Sequence, residues 1–232
     1  MDIQLYYTEK GSGKPLILLH GNGESGEYFV NQIDYFSKQY RVIAVDTRGH
    51  GQSPRGEAPF SIRQFADDLR DFMDELGLEK ADILGFSDGG NIALVFAIRY
   101  IERVDRLIVD GANLNTRGVR PRMQLPIELG WRIARRAAKK SEEARRKAEM
   151  MNLMVNDPKI PEKELKKITV PTLVMAGTKD MIKDAHTRRI AQLLPDAELI
   201  IMEGDHFIAA KRPTEFNAAV EDFLNRRSNG KK

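Results

Sequence analysis

Short apolar runs that alternate with helical patterns constrain this chain more than any other feature. The runs fall at residues 3–7, 15–19, 41–46, 81–86, 106–110, 172–177 and 198–202. The first alternates at period 2 and leads into the turn Lys10-Gly11-Ser12-Gly13-Lys14. The later ones are nearly unbroken and rich in β-branched residues, the pattern of strands buried on both faces. Between them, Ile62, Phe65, Leu69, Phe72, Met73 and Leu76 recur at helical spacing. Residues 91–100 are apolar nearly all round, and residues 185–194 and 214–227 complete the helical set, with Pro213 just ahead of the last. The reading is an α/β fold with a mostly parallel central sheet and helices on both faces.

Residues 113–168 break the alternation, separating two strands with no strand-like run. A stretch of that length needs its own structure or function, so a core of residues 1–112 and 169–228 is expected. Residues 113–168 would form a small helical lid and residues 229–232 a frayed tail. The insertion holds 15 Lys and Arg against 7 Asp and Glu, an excess of eight positive charges. The remainder holds 22 against 27, an excess of five negative charges, so the net charge of +3 hides an uneven distribution. Residues 131–147 read as helical, with Glu142–Arg146 and Glu143–Lys147 four apart. Their basic face is either solvated or draws in anionic substrates or surfaces. Leu125, Ile127, Trp131, Met150, Met151, Leu153 and Met154 either line an apolar acyl pocket or pack the lid onto the core.

The absence of Cys among 232 residues excludes a disulfide scaffold, a Cys-based zinc site, an iron–sulfur cluster and a thiol nucleophile. Four His leave little for a histidine-rich metal site, so no metal and no cofactor is expected. No apolar stretch is long enough for a membrane span, and the first residues lack a signal-peptide pattern; a cytoplasmic location is expected. The basic residues are interleaved with apolar ones in no recognised nucleic-acid module, so no nucleic-acid partner is expected. Oligomeric state is left open.

The chemistry concentrates in Gly85-Phe86-Ser87-Asp88-Gly89-Gly90, which joins a buried strand directly to an apolar helix. That is the setting of a nucleophile elbow, where a serine on a strained turn is flanked by glycines. The bland alternative is a Gly-rich structural turn with an incidental serine. A serine hydroxyl needs a base and a site for the developing oxyanion. His206, after the last strand, is the candidate base. His20 and His50 lie in Gly-rich loops as turn residues, and His186 sits in a helix among basic residues as a solvated side chain. Asp180, after the 172–177 strand, is the candidate orienting acid, with Asp184, Asp110 and Asp205 as rivals. The loop His20-Gly21-Asn22-Gly23 can offer a backbone N–H from Asn22, or from Gly23 as second choice. Asp88 offers the other.

These residues, with Asp46-Thr47-Arg48-Gly49-His50-Gly51-Gln52-Ser53 and residues 171–180 and 204–207, give the chain a resemblance to the α/β-hydrolase family over nearly its whole length. The Ser, Asp, His chain order is the one that family uses. The resemblance implies Ser87 as nucleophile, His206 as general base and then acid, and Asp180 as the group that orients the imidazole. It also implies backbone oxyanion donors at Asn22 and Asp88, and a structural role for residues 46–53. The expected function is hydrolysis of a small carboxylic ester through an acyl-enzyme. The alternatives are a carbon–carbon bond hydrolase, a thioesterase, a lyase with the same triad, or a non-catalytic ligand-binding protein. Ser-Asp-Gly-Gly is similar to the elbow of amino-acid-ester hydrolases. Asp88 therefore either engages a substrate ammonium or only caps the following helix.

Overall fold

The computed structural model describes residues 2–229. Seven strands form one sheet: β1 (Tyr7–Lys10), β2 (Lys14–Leu19), β3 (Tyr40–Val45), β4 (Ala81–Phe86), β5 (Val104–Asp110), β6 (Thr172–Gly177) and β7 (Ala197–Met202). Their spatial order is β1-β3-β2-β4-β5-β6-β7. Only β1 runs antiparallel to its neighbour; β2 through β7 pair in parallel. Two apolar layers follow from the strand alternation. Ile17, Ile43, Ile83, Leu107 and Val174 face α2 (Ile62–Glu75), α3 (Asp88–Arg99) and α6 (Asp184–Leu193). Leu16, Leu18, Val42, Leu84, Ile108 and Leu173 point to the other side. There they meet α1 (Val30–Phe36), the short α7 (Ile208–Lys211) and α8 (Pro213–Asn229). Apolar residues of α2 recur every three or four positions, so one stripe carries Phe65, Leu69, Phe72 and Met73 into the core. Ser61 starts that helix by accepting the Gln64 N–H.

Several local expectations need correction. The first strand begins at Tyr7 rather than covering residues 3–7, because its partner β3 ends at Val45, which sits opposite Tyr7. Leu5 is still buried, which accounts for the period-2 pattern there. The helical stretch expected over residues 131–147 is two helices, α4 (Pro121–Ala137) and α5 (Glu142–Asn156). The break occurs where Ser141 turns extended and its hydroxyl accepts the Ala144 N–H as an N-cap. Glu142 pairs with Arg146 at 3.0 Å, whereas Glu143 and Lys147 form no such pair among the described residues. His186 is not a solvated residue: its Nε2 accepts the Leu114 N–H at 3.0 Å and its ring is half-buried. Asn229 belongs to α8, and residues 230–232 of the expected tail lie outside the described residues.

The loop after β3 is held from within. Asp46 accepts the N–H groups of Gly26 and Gln52 at 2.7 and 2.8 Å. Arg48, fully buried, donates two hydrogen bonds to Asp68 of α2 and two to Asp2. This loop, the elbow and the loops after β5, β6 and β7 all stand at the carboxyl edge of the parallel strands, where open α/β sheets place their sites.

Candidate active site

Ser87 sits between β4 and α3 at φ 54, ψ −118, the only non-glycine positive φ among the described residues. Two glycines make that turn possible. A Cβ on Gly85 would lie 2.3 Å from the Gly89 carbonyl oxygen, and one on Gly89 would lie 1.9 Å from that of Leu19. The Ser87 N–H is tied to the Asp110 carbonyl at 2.8 Å, so the strained residue is fixed against β5.

A continuous hydrogen-bonded chain leads away from the serine. Ser87 Oγ lies 2.9 Å from His206 Nε2, and His206 Nδ1 lies 2.8 Å from Asp180 Oδ1. That same oxygen accepts the Ile182 N–H at 2.7 Å. The carboxylate can only accept, so Nδ1 carries a proton and Nε2 of the neutral ring faces the hydroxyl as an acceptor. Phe86 packs against the His206 ring at 4.9 Å between centroids, and Tyr28 stacks on Phe86 at 4.4 Å.

The rival residues stand elsewhere. Asp184 is exposed and pairs with Arg188; Asp205 is half-buried and pairs with Lys211. His20 is buried, donating from Nδ1 to the Gly21 carbonyl while Nε2 accepts the Thr47 N–H. Burial, with His50 beside it, lowers its pKa to about 4. His50 is likewise buried, with Nδ1 on the Arg48 carbonyl.

A match to the alpha/beta hydrolase fold covers residues 14–130, just over half of the chain. The chain is 30% identical to the putative carbamate hydrolase RutD of Caulobacter sp. (strain K31), over 90% of each protein. It belongs to the α/β-hydrolase fold family. The chain is also 27% identical to 3-oxoadipate enol-lactonase 2 of Acinetobacter baylyi, over 97% of this chain and 94% of that one. Among solved structures, the enol-lactonase of Burkholderia xenovorans LB400 superposes with a TM-score of 0.81 at 24% identity. That match covers 96% of this chain and 97% of the other, and it bears on the fold.

In this hydrolase, Asp88 is the first residue of α3, so its N–H has no intrahelical acceptor. No protein group among the described residues accepts the Asn22 N–H. Both belong to segments that adjoin Ser87 at the carboxyl edge. The Asp88 side chain does not cap α3. Its two oxygens accept instead from the side chains of Asn22, at 2.9 Å, and Asn91, at 3.1 Å. Asn91 in turn accepts the Asn113 N–H at 2.8 Å. A buried polar chain thus links the loop after β2, the elbow helix and the segment after β5. Asn91 had a sequence signal, as the one polar side chain in the otherwise apolar stretch 91–98; Asn113 had none.

A cavity of about 20 Å³ adjoins Ser87 and Asp88. Asn113, Gln124, Ile127, Met154 and Asp157 are among its walls, and no Lys or Arg lines it. Of the apolar residues named for an acyl pocket, Ile127 and Met154 border it; Leu153 is in the main core and Leu125 is exposed. Burial raises the pKa of Asp88 against the pull of its Asn partners, and burial raises that of Asp157. Asp157 carried no sequence signal, since it reaches the cavity only through the path of the chain after α5. Behind the histidine, Asp110 is fully buried with neither carboxyl oxygen partnered among the described residues. Burial and the neighbouring Asp180 push its pKa well up. No helix is long and apolar enough to cross a membrane, and no cluster of metal-ligating side chains occurs among the described residues.

Proposed function

We propose that this protein is a serine hydrolase that cleaves a small carboxylic ester through an acyl-enzyme. The observation that carries the reading is the unbroken chain Ser87 Oγ–His206–Asp180, starting from a serine in strained geometry. His206 Nε2 takes the hydroxyl proton as Ser87 Oγ attacks the ester carbonyl, and Asp180 stabilises the imidazolium that forms. The Asn22 and Asp88 N–H groups receive the oxyanion. Collapse of the tetrahedral intermediate expels the alcohol, which takes the proton from His206. Water, deprotonated by the same imidazole, then attacks the acyl carbonyl and releases the acid. The relatives' names support this class, since a carbamate and a lactone both present an acyl carbonyl to the nucleophile.

Hydrolysis of p-nitrophenyl acetate and butyrate by the wild type and Ser87→Ala tests the reading. Turnover lost in the folded variant is expected; turnover that is absent or insensitive to the mutation transfers the assignment to a carbon–carbon hydrolase, lyase or binding role.

A second observation bears on the substrate. Two carboxyl groups, Asp88 and Asp157, border the cavity beside Ser87 with no cation among its walls. An ammonium group on the substrate supplies the missing charge and favours the ionised form of both. Asp88→Asn is then expected to reduce turnover of aminoacyl esters selectively. An equal loss on neutral esters rejects amine recognition and leaves Asp88 as a structural link between Asn22 and Asn91.

We further propose that residues 113–168 act as a lid. The cavity holds about one water molecule, and α4 and α5 supply Gln124, Ile127 and Met154 to its walls. Ser87 is itself only part-buried, and movement of those helices would widen the space beside it to hold an ester.

A further inference from the structure

Seven large apolar side chains are exposed among the described residues, and four of them, Met123, Leu125, Leu129 and Ile133, lie on α4. Leu125, Leu129 and Ile133 are 64%, 60% and 59% exposed. Spaced four apart, they stack along one side of the helix. Arg122, Arg132 and Arg136 are exposed too, and none has an acidic partner among the described residues. At the turn angle of an α-helix the six side chains alternate within a sector of roughly 100°. That sector holds no carboxylate, and the one acidic residue of α4, Glu128, lies outside it. The opposite side of the helix carries Gln124, Ile127 and Ala134 inward, so the outer face has no part in closing the catalytic cavity.

The mixture of groups selects among occupants. A nucleic acid would satisfy the arginines and leave the aliphatic stripe in water. A second copy packed face to face by a two-fold axis would set arginines against arginines. An anionic bilayer satisfies both sets. Its phosphates meet the guanidinium groups while the aliphatic side chains enter the boundary between headgroups and acyl chains.

We infer that the outer face of α4 is a docking surface for an anionic phospholipid membrane, on which the helix lies parallel to the bilayer plane. Binding is peripheral, in keeping with the lack of any helix able to span a membrane among the described residues. The inference does not rest on the ester reading, because no residue of the outer face touches the catalytic site.

Co-sedimentation of the full chain with phospholipid vesicles tests it, using phosphatidylcholine alone and phosphatidylcholine with about 30 mol % phosphatidylglycerol. The wild type is expected to sediment with the anionic vesicles, to release in high salt, and to ignore the neutral ones. Leu125→Ser/Leu129→Ser/Ile133→Ser and Arg132→Gln/Arg136→Gln are each expected to weaken binding about tenfold or more. Both sets lie on exposed positions, and circular dichroism and thermal melting certify that the variants are folded. Any of four results overturns the proposal. The wild type ignores anionic vesicles; it binds neutral ones equally; either variant binds as the wild type does; or the wild type is a dimer that the triple-serine variant dissociates. The last would assign the face to self-association.

Discussion

Asp110 ends β5 directly beneath the His206–Asp180 pair, close enough that a Cβ on the next residue, Gly111, would lie 2.9 Å from His206 Nδ1. Burial and the Asp180 charge both oppose its ionisation in the folded protein and hold its pKa well above the ordinary carboxylate value. In the unfolded chain it ionises near the ordinary value of 3.8. Above that pH the folded state therefore holds one more proton than the unfolded state. The group subtracts stability as pH rises, until the folded carboxyl itself ionises. Asp110→Asn removes that loss while keeping the shape. Its melting temperature is expected to exceed the wild type by about 2–4 °C or more at pH 8 and to match it near pH 4. Melting curves at the two pH values check this, and a gap that does not grow with pH contradicts it.

At the scale of elements, Arg48 joins three pieces of chain that are distant in sequence: the loop after β3, helix α2 through Asp68, and the first residues through Asp2. Removing the guanidinium leaves Asp68 buried without its counter-charge. Breaking such a pair from one side typically costs about 3–5 kcal/mol. Arg48→Ala is expected to lower stability by that order in urea unfolding, and a loss below about 1 kcal/mol would show that Gln64, which also reaches Asp68, suffices. The parallel strands were legible because each is a short β-branched run with both faces buried. The serine elbow was legible because Gly85 and Gly89 stand where any side chain would strike backbone. Helix α1 was not legible: in seven residues it buries only Gln32 and Phe36, too little to make a stripe. The break between α4 and α5 was hidden because Ser141 interrupts a run of strong helix formers. From the residues alone Asp180 stood first among several rival acids, and the family resemblance assigned it. What separates it from Asp184 and Asp205 is the fold of β6 and β7, which sets it against His206.

Over the whole molecule, burial is divided unevenly. Helix α3 buries nine of its twelve residues, whereas α4 buries two of seventeen. The α4–α5 pair is fastened to the rest by Leu153 of α5, which is buried in the main core, and by a few polar links. Asn22 donates to the Met150 carbonyl at 2.9 Å, Arg55 forks onto Glu149, and Arg120 donates to the Asp180 carbonyl at 2.7 Å. Such a segment opens at lower free energy than the sheet beneath it. Amide hydrogen exchange is expected to run at least about a hundredfold faster in α4 than in α3 and β4; equal protection would mean that both unfold together. Arg55→Ala, by removing the fork to Glu149, is expected to speed exchange in α5 with little change in β4.

The smallness of the space beside Ser87 also carries a consequence for anyone who sets out to block this enzyme. With room for about one water, the closed shape offers an inhibitor little to hold beside Ser87, and on the proposed lid motion a larger compound would bind the opened form. Apparent affinity is then scaled down by the opened fraction. On that motion, a substitution that loosens the lid, such as Arg55→Ala, would make a compound look more potent without adding a single contact to it.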